Sequence, residues 1–246
     1  MDHQDFPYPS EEQFPETQWS LVLRAGGPVN PSAREALDLL CSAYWYPIYA
    51  LIRRKGNDPH KALDLTQGYF CQLLEKGALA TLDPRKGRFR AFLLTDCSHF
   101  LVDEHRRATA QRRGGGQTIL SIDARTAEGR YLNEPSHDLT PERIFERNWA
   151  RTLLERVLSL IKHEYVKAGK SVTFEQLKLV LIEAPCSIPY AEIARRLGSS
   201  EDAIATAVHR LRKRYKETLR REIAATVANP ADVDDEIRAL FEALKT

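Results

Sequence analysis

Between Arg210 and Arg221 the sequence places seven Lys or Arg residues against one acid, Glu217. Cations at that density neutralise phosphates and draw a polyanion to one surface; protonated at neutral pH, they are poor proton acceptors. The segment from Asn229 to Thr246 has the opposite character, with five acids against two bases, so charge is segregated along a chain whose net charge is only +2. The sequence has no glycine-rich phosphate loop, no His-Glu-x-x-His helix, and no paired carboxylates in a setting that argues for metal. Asp103-Glu104-His105 is the nearest approach to a metal cluster, but consecutive residues of a helix point in different directions. Cys41, Cys71, Cys97 and Cys186 lie far apart among apolar neighbours, as small buried hydrophobes do. No catalytic residue, metal site or cofactor is expected, and a nucleic-acid-binding protein is favoured over an enzyme.

The basic run needs a helix to display it. Tyr190-Ala-Glu-Ile-Ala-Arg-Arg-Leu197 reads as a short helix with Ile193, Ala194 and Leu197 inward, ended by a left-handed turn at Gly198. Ser199 is the expected cap of a second helix, with Asp202 three residues later. Ile204, Val208, Leu211, Tyr215 and Leu219 then repeat at helical spacing and form a packed face. Thr206, His209, Arg210 and Lys213 fall on the other face. A helix, a small-residue turn and a basic helix make a helix-turn-helix, whose second helix enters the major groove N-terminus first. Thr206 and Arg210 are therefore expected to read bases, with Ser200 at the helix start; Arg212, Lys213 and Arg214 are expected to meet phosphates, and His209 suits either role. The bland alternative is a helical hairpin whose basic face is merely solvated.

Around this motif the chain reads as all-α, because apolar residues recur at three and four while period-two alternation is absent. With 246 residues and 43% hydrophobic content it can build two small helical domains. The expected division is 17–113 for a first block, 114–139 for a flexible linker opened by Gly114-Gly115-Gly116, 140–227 for the helix-turn-helix block, and 228–246 for an acidic C-terminal helix. Thr140-Pro141 starts a helix whose stripe is Phe145, Trp149, Leu153, Val157 and Leu160 and which ends near Gly169. Thr173 and Gln176 suggest a capping box, and Pro185 the end of that helix. In the tail, Val233, Ile237, Leu240 and Leu244 share one face that should pack back on the C-terminal block, with a regulatory contact as the alternative. The longest apolar run, Tyr44 to Ile52, is interrupted by Pro47 and falls far short of the ~20 residues of a membrane span. The acidic, proline-broken N-terminus does not resemble an export signal, so the cytoplasm is the expected location, with no membrane partner.

In the first block Ala62-Leu-Asp64-Leu-Thr-Gln67-Gly-Tyr-Phe70 is followed by Gly87-Arg-Phe-Arg-Ala-Phe-Leu-Leu and Asp103-Glu-His-Arg-Arg107. Together with Tyr190 to Gly198 and His209-Arg-Leu-Arg-Lys-Arg-Tyr215, these motifs resemble bacterial sigma factors of the extracytoplasmic-function group. The resemblance covers both blocks. Thr17-Gln-Trp-Ser, Tyr44-Trp-Tyr-Pro and Arg112-Arg-Gly-Gly-Gly116 look most like the subgroup abundant in planctomycetes. It implies that the first block docks on core RNA polymerase and opens the minus-ten element, and that the second reads the minus-thirty-five element of promoter DNA. Asp64 and Gln67, three apart on one helix face, would contact the polymerase. His99, Arg106, Arg107, Arg112 and Arg113 would meet minus-ten DNA, opposite a buried stripe of Phe89, Leu93, Cys97 and Phe100. An anti-sigma factor is a further partner the family suggests.

Three departures stand out. His99 replaces a common asparagine, Lys61 and Leu63 replace acids before Asp64, and Ala205 and Ala207 replace frequent basic positions, so the promoter sequence does not carry over. The competing reading is a stand-alone helix-turn-helix regulator, which would bind duplex DNA unaided and have no use for the first block.

Overall fold

The computed structural model describes residues 22, 25–26, 31–75, 79, 82–83, 87–110, 124–133, 139–182, 189–224, 226–227 and 229–245. Among them the chain forms helices only, with no strand, as the periodicity requires. The helices are α1 (Pro31–Arg54), α2 (Pro59–Glu75), α3 (Phe89–Ala110), α4 (Ala124–Leu132), α5 (Pro141–Lys167), α6 (Ser171–Ile182), α7 (Tyr190–Leu197), α8 (Glu201–Ala224) and α9 (Val233–Leu244), the last entered through a 3-10 turn over Pro230–Asp232. None of the described helices is long and apolar enough to cross a membrane.

Helix α1 continues through Pro47, which leaves one turn without its backbone hydrogen bond. Burial offsets that loss: Tyr44, Trp45, Tyr46, Ile48, Tyr49, Leu51 and Ile52 are all buried. Tyr44 meets Phe89 of α3 edge-on at 5.3 Å, and Trp45 stacks on Tyr49 at 5.3 Å. Asp58 caps α2, its carboxylate accepting the Lys61 N–H at 3.0 Å.

Helix α5 is the spine of the molecule. Thr140 caps it, its hydroxyl accepting the Arg143 N–H at 3.3 Å, with Pro141 in the first turn. Its first half packs along α1: Arg54 donates to the Leu139 carbonyl at 2.8 Å, and Lys55 pairs with Glu142 at 3.5 Å. Its second half meets the C-terminal helices, with Arg156 paired to Glu222 of α8 at 2.8 Å and Lys162 to Glu175 of α6 at 2.6 Å. The inward stripe is Ile144, Phe145, Trp149, Leu153, Val157 and Ile161; Leu160 is only half-buried, because Ile161 takes the next core position.

The structure departs from the sequence expectations in several places. Residues 124–132, inside the expected flexible linker, form α4 and dock on α1. Tyr49 donates to Glu128 at 2.5 Å, Arg53 binds the same carboxylate at 2.9 and 2.7 Å, and the Arg130 guanidinium lies 4.0 Å over the Tyr46 ring. These are polar fastenings, which an apolar stripe would not reveal. Gly114-Gly115-Gly116 and Pro185 lie outside the described residues. The capping box at Thr173 is not formed, because α6 already begins at Ser171 and the Lys170 carbonyl accepts the Phe174 N–H at 3.0 Å. Finally, α9 does not pack on the C-terminal block alone; Glu236 reaches Arg88 and Arg90 of the first block.

Candidate nucleic-acid interface

Helix α7 closes in a Schellman motif. Gly198 adopts φ 61°, ψ 38°, its N–H reaching Arg195 O at 3.4 Å, and the Ser199 N–H reaches Ala194 O at 2.9 Å. A side chain at Gly198 would have to take the same left-handed backbone, which L-residues adopt at a cost. The cap of α8 is Ser200, not Ser199: its hydroxyl accepts the Ala203 N–H at 3.2 Å, while Ser199 serves in the turn. Glu201 and Asp202 occupy the first turn, where acids complement the helix dipole.

Ile204, Val208, Leu211, Leu219 and Ile223 bury one side of α8 against α5, α6, α7 and α9. Thr206, His209, Arg210, Arg212 and Lys213 are exposed. At 3.6 residues per turn, Thr206, His209, Arg210 and Lys213 share one stripe, and Arg212 lies on its flank. Lys216, four residues past Arg212 and also exposed, extends that flank, which the density of the basic run does not by itself reveal. Arg214 differs from its neighbours. It is half-buried and holds Glu164 of α5 through two hydrogen bonds at 3.0 and 2.6 Å, which raises its already high pKa. It therefore fastens α8 to the spine, where the basic run alone suggested a phosphate contact. Arg195 and Arg196 are both drawn to Glu192, whose carboxyl they hold below its ordinary value.

On α3 the buried stripe of Phe89, Leu93, Cys97 and Phe100 is present, and His99, Asp103, Arg106 and Arg107 are exposed opposite it. Arg106 pairs with Asp103 at 3.8 Å and Arg107 with Glu104 at 2.6 Å, both within the helix on its solvent side. Such exposed pairs contribute little and yield to a stronger anion. Phe92 is half-buried and stacks on Phe89 at 6.0 Å. Arg112 and Arg113 lie outside the described residues.

The Asp64 to Gln67 segment separates in space. Asp64 is exposed, whereas Gln67 is buried at 7% exposure beside fully buried Thr66. A step of three residues rotates about 60° around a helix, enough here to carry Gln67 into the core side.

Burial pushes the Cys41 and Cys97 thiols up to about 11 and about 12, far from a reactive thiolate. Among the described residues no cluster of His, Cys, Asp or Glu has the arrangement of a metal site.

These features define an all-α protein that presents a basic helix behind a glycine turn and carries a second helical block on the same spine. A sequence model of the ECF sigma factor family matches residues 50–221, from the end of α1 almost to the end of α8, and the chain belongs to that family. Its members are DNA-binding transcription initiation factors that work with RNA polymerase and are not enzymes. No curated protein and no solved structure matches the chain.

Proposed function

We propose that this chain binds core RNA polymerase and directs it to particular promoters, α8 reading the minus-thirty-five element and α3 meeting the opened minus-ten element. The observation that carries the reading is the exposed stripe Thr206, His209, Arg210 and Lys213 on a helix rigidly set by the Gly198 turn and the Ser200 cap. Thr206 and Arg210, in the second and third turns, read bases, while Arg212, Lys213 and Lys216 meet phosphates. The single-stranded minus-ten element lies along His99, Arg106 and Arg107, with Arg112 and Arg113 as further cations. Work with the polymerase places the chain in the cytoplasm, an anti-sigma factor is a natural partner, and the Tyr44-Trp-Tyr-Pro motif supports the planctomycete-like subgroup.

Asp64 is the polymerase-facing side chain of α2, its exposure leaving the carboxylate open to a docking partner. Asp64→Ala is expected to weaken core binding by about tenfold, the loss of one charge-assisted contact, with the fold unchanged. Co-purification with core polymerase followed by run-off transcription checks this; wild-type-like pull-down at matched concentration removes Asp64 from the interface. Tight sequence-specific binding to duplex DNA without polymerase would favour the stand-alone regulator instead.

Lys213→Ala and Arg212→Ala should each lower the slope of log affinity against log salt by about 0.9 on every promoter alike. Arg214→Ala should change that slope less, because Glu164 already holds its guanidinium. A salt series with the holoenzyme separates the two; equal slope changes at all three positions would return Arg214 to the phosphate-binding group.

A further inference from the structure

Two ion pairs fix how α5 lies along α8. Arg156 meets Glu222 at 2.8 Å, and Glu164, eight residues farther along α5, holds Arg214, eight residues back along α8. Eight residues of helix rise about 12 Å, so the two helices run antiparallel at a common level over that length. Carried into the last turn of α5, the same register sets Lys167 level with Leu211. The turn Ala168 to Lys170 then continues towards the start of α8, where bases are read.

The side chains that follow the Glu164–Arg214 bridge are both cations. Lys167 succeeds Glu164 by three residues, Arg210 precedes Arg214 by four, and each is therefore its helix's next neighbour on that flank. Arg210 makes itself felt on α5: burial pushes the Tyr165 phenol up, Glu164 adds to the rise, and Arg210 draws it down. Between Ile161 and Phe174 the sole acid is Glu164, already held by Arg214, against Lys162, Lys167 and Lys170. Lys167 and Lys170 are exposed. Their turn is rigid, a Schellman motif with Gly169 at φ 69°, the Gly169 N–H on Val166 O at 3.0 Å and the Lys170 N–H on Tyr165 O at 2.8 Å. Cations held in place by backbone bonds bind an anion with little further ordering.

We propose that the turn between α5 and α6 is a second phosphate-binding surface, in which Lys167, with Lys170 beyond it, grips the DNA backbone beside the bases that Arg210 reads. The promoter element is then held from two helices instead of from α8 alone. This deepens the placement of α8 on the minus-thirty-five element and rests on it. Lysines at the end of a helix also complement its dipole, a role that the charge of any one phosphate would not touch.

Binding of holoenzyme to promoter DNA across a salt series counts the phosphates neutralised. A set of duplexes, each with one phosphate around the minus-thirty-five element replaced by an uncharged methylphosphonate, locates them. Lys167→Gln is expected to lower the slope of log affinity against log salt by about 0.9, on cognate and scrambled elements alike, and the double variant with Lys170→Gln by about twice that. At one phosphate position the methylphosphonate should weaken the wild type and leave Lys167→Gln unchanged. Lys245→Gln, a cation of the acidic helix paired with Glu242, is the control and should keep the wild-type slope. A wild-type slope in Lys167→Gln, with Lys213→Ala still losing its share, overturns the second surface and leaves the reading of α8 standing. Wild-type slopes in both variants overturn the placement of α8 and the second surface with it. A lowered slope with no phosphate position that depends on Lys167 overturns the contact and assigns the lysine to the helix dipole. A chain that forms no holoenzyme overturns the sigma-factor reading and this inference together.

Discussion

Arg210→Ala is expected to weaken recognition of the cognate minus-thirty-five element by about 1–3 kcal/mol, or about 5- to 150-fold, and to change binding to a scrambled element little. Arg210 is exposed in the third turn of α8, on the stripe that begins with Thr206, and its neighbours Val208 and Leu211 are buried, so the backbone beneath it is held still. A guanidinium presented this way can bond a guanine edge through two donors at once, which no water-filled replacement reproduces. The selective loss follows from that geometry: a base contact is lost only where its base is present, whereas a phosphate contact is lost everywhere. Transcription by holoenzyme on cognate and scrambled elements across a salt series measures the difference. Equal losses on both sequences would make Arg210 a phosphate contact and leave Thr206 and His209 as the readers.

The largest effect on stability is expected from Trp149→Ala, at about 3–5 kcal/mol, the usual cost of a buried tryptophan truncated in a packed core. Trp149 is 2% exposed on α5, with the Arg90 guanidinium 4.2 Å over its ring. It also borders a depression with Ser42 and Ala43 of α1 and Thr152 and Leu153 of α5. Its loss would enlarge that depression, remove a cation–π partner from a buried arginine, and loosen the contact between α1 and the spine. For a chain of this size each kcal/mol lowers Tm by about 2–4 °C. Because α5 serves both blocks, the midpoint for the whole chain should fall, not that of one block alone. Thermal unfolding followed by circular dichroism tests this; a Tm within about 2 °C of wild type would mean that the first half of α5 is not packed on α1.

Much of the candidate interface is legible in the sequence. The Gly198 turn, the Thr140 cap, and the alternation of Ile204, Val208 and Leu211 with Thr206, His209 and Arg210 depend on residues within a few positions of one another. So does the division of α3 into a buried stripe and an exposed cationic side. Less legible was Gln67, whose spacing from Asp64 suits a shared face but whose helix is turned so that only Asp64 remains outside. The one-residue error at the α8 cap, Ser199 for Ser200, has the same origin: two adjacent serines are equally good caps until the turn assigns one to the Schellman motif.

By itself, the sequence determined that this protein is helical, where α5 starts and where α7 starts and stops, which side of α3, α5, α7, α8 and α9 is apolar, and which residues offer cations to a nucleic acid. Those properties follow from local backbone chemistry and from periodicity, which the chain carries in its own order. Tertiary structure alone decided what each apolar or charged face meets. It carried α1 through Pro47 by burying the aromatic residues on either side, and it made a docked helix of 124–132 through Tyr49, Arg53 and Glu128. It withdrew Arg214 from the basic face by placing Glu164 beside it, and it drew Glu236 of the acidic tail into a buried cluster with Arg88 and Arg90. A periodic pattern records that a face is covered and a charge records that it needs a partner; neither names a partner tens or hundreds of residues away, because only the packed chain brings the two together.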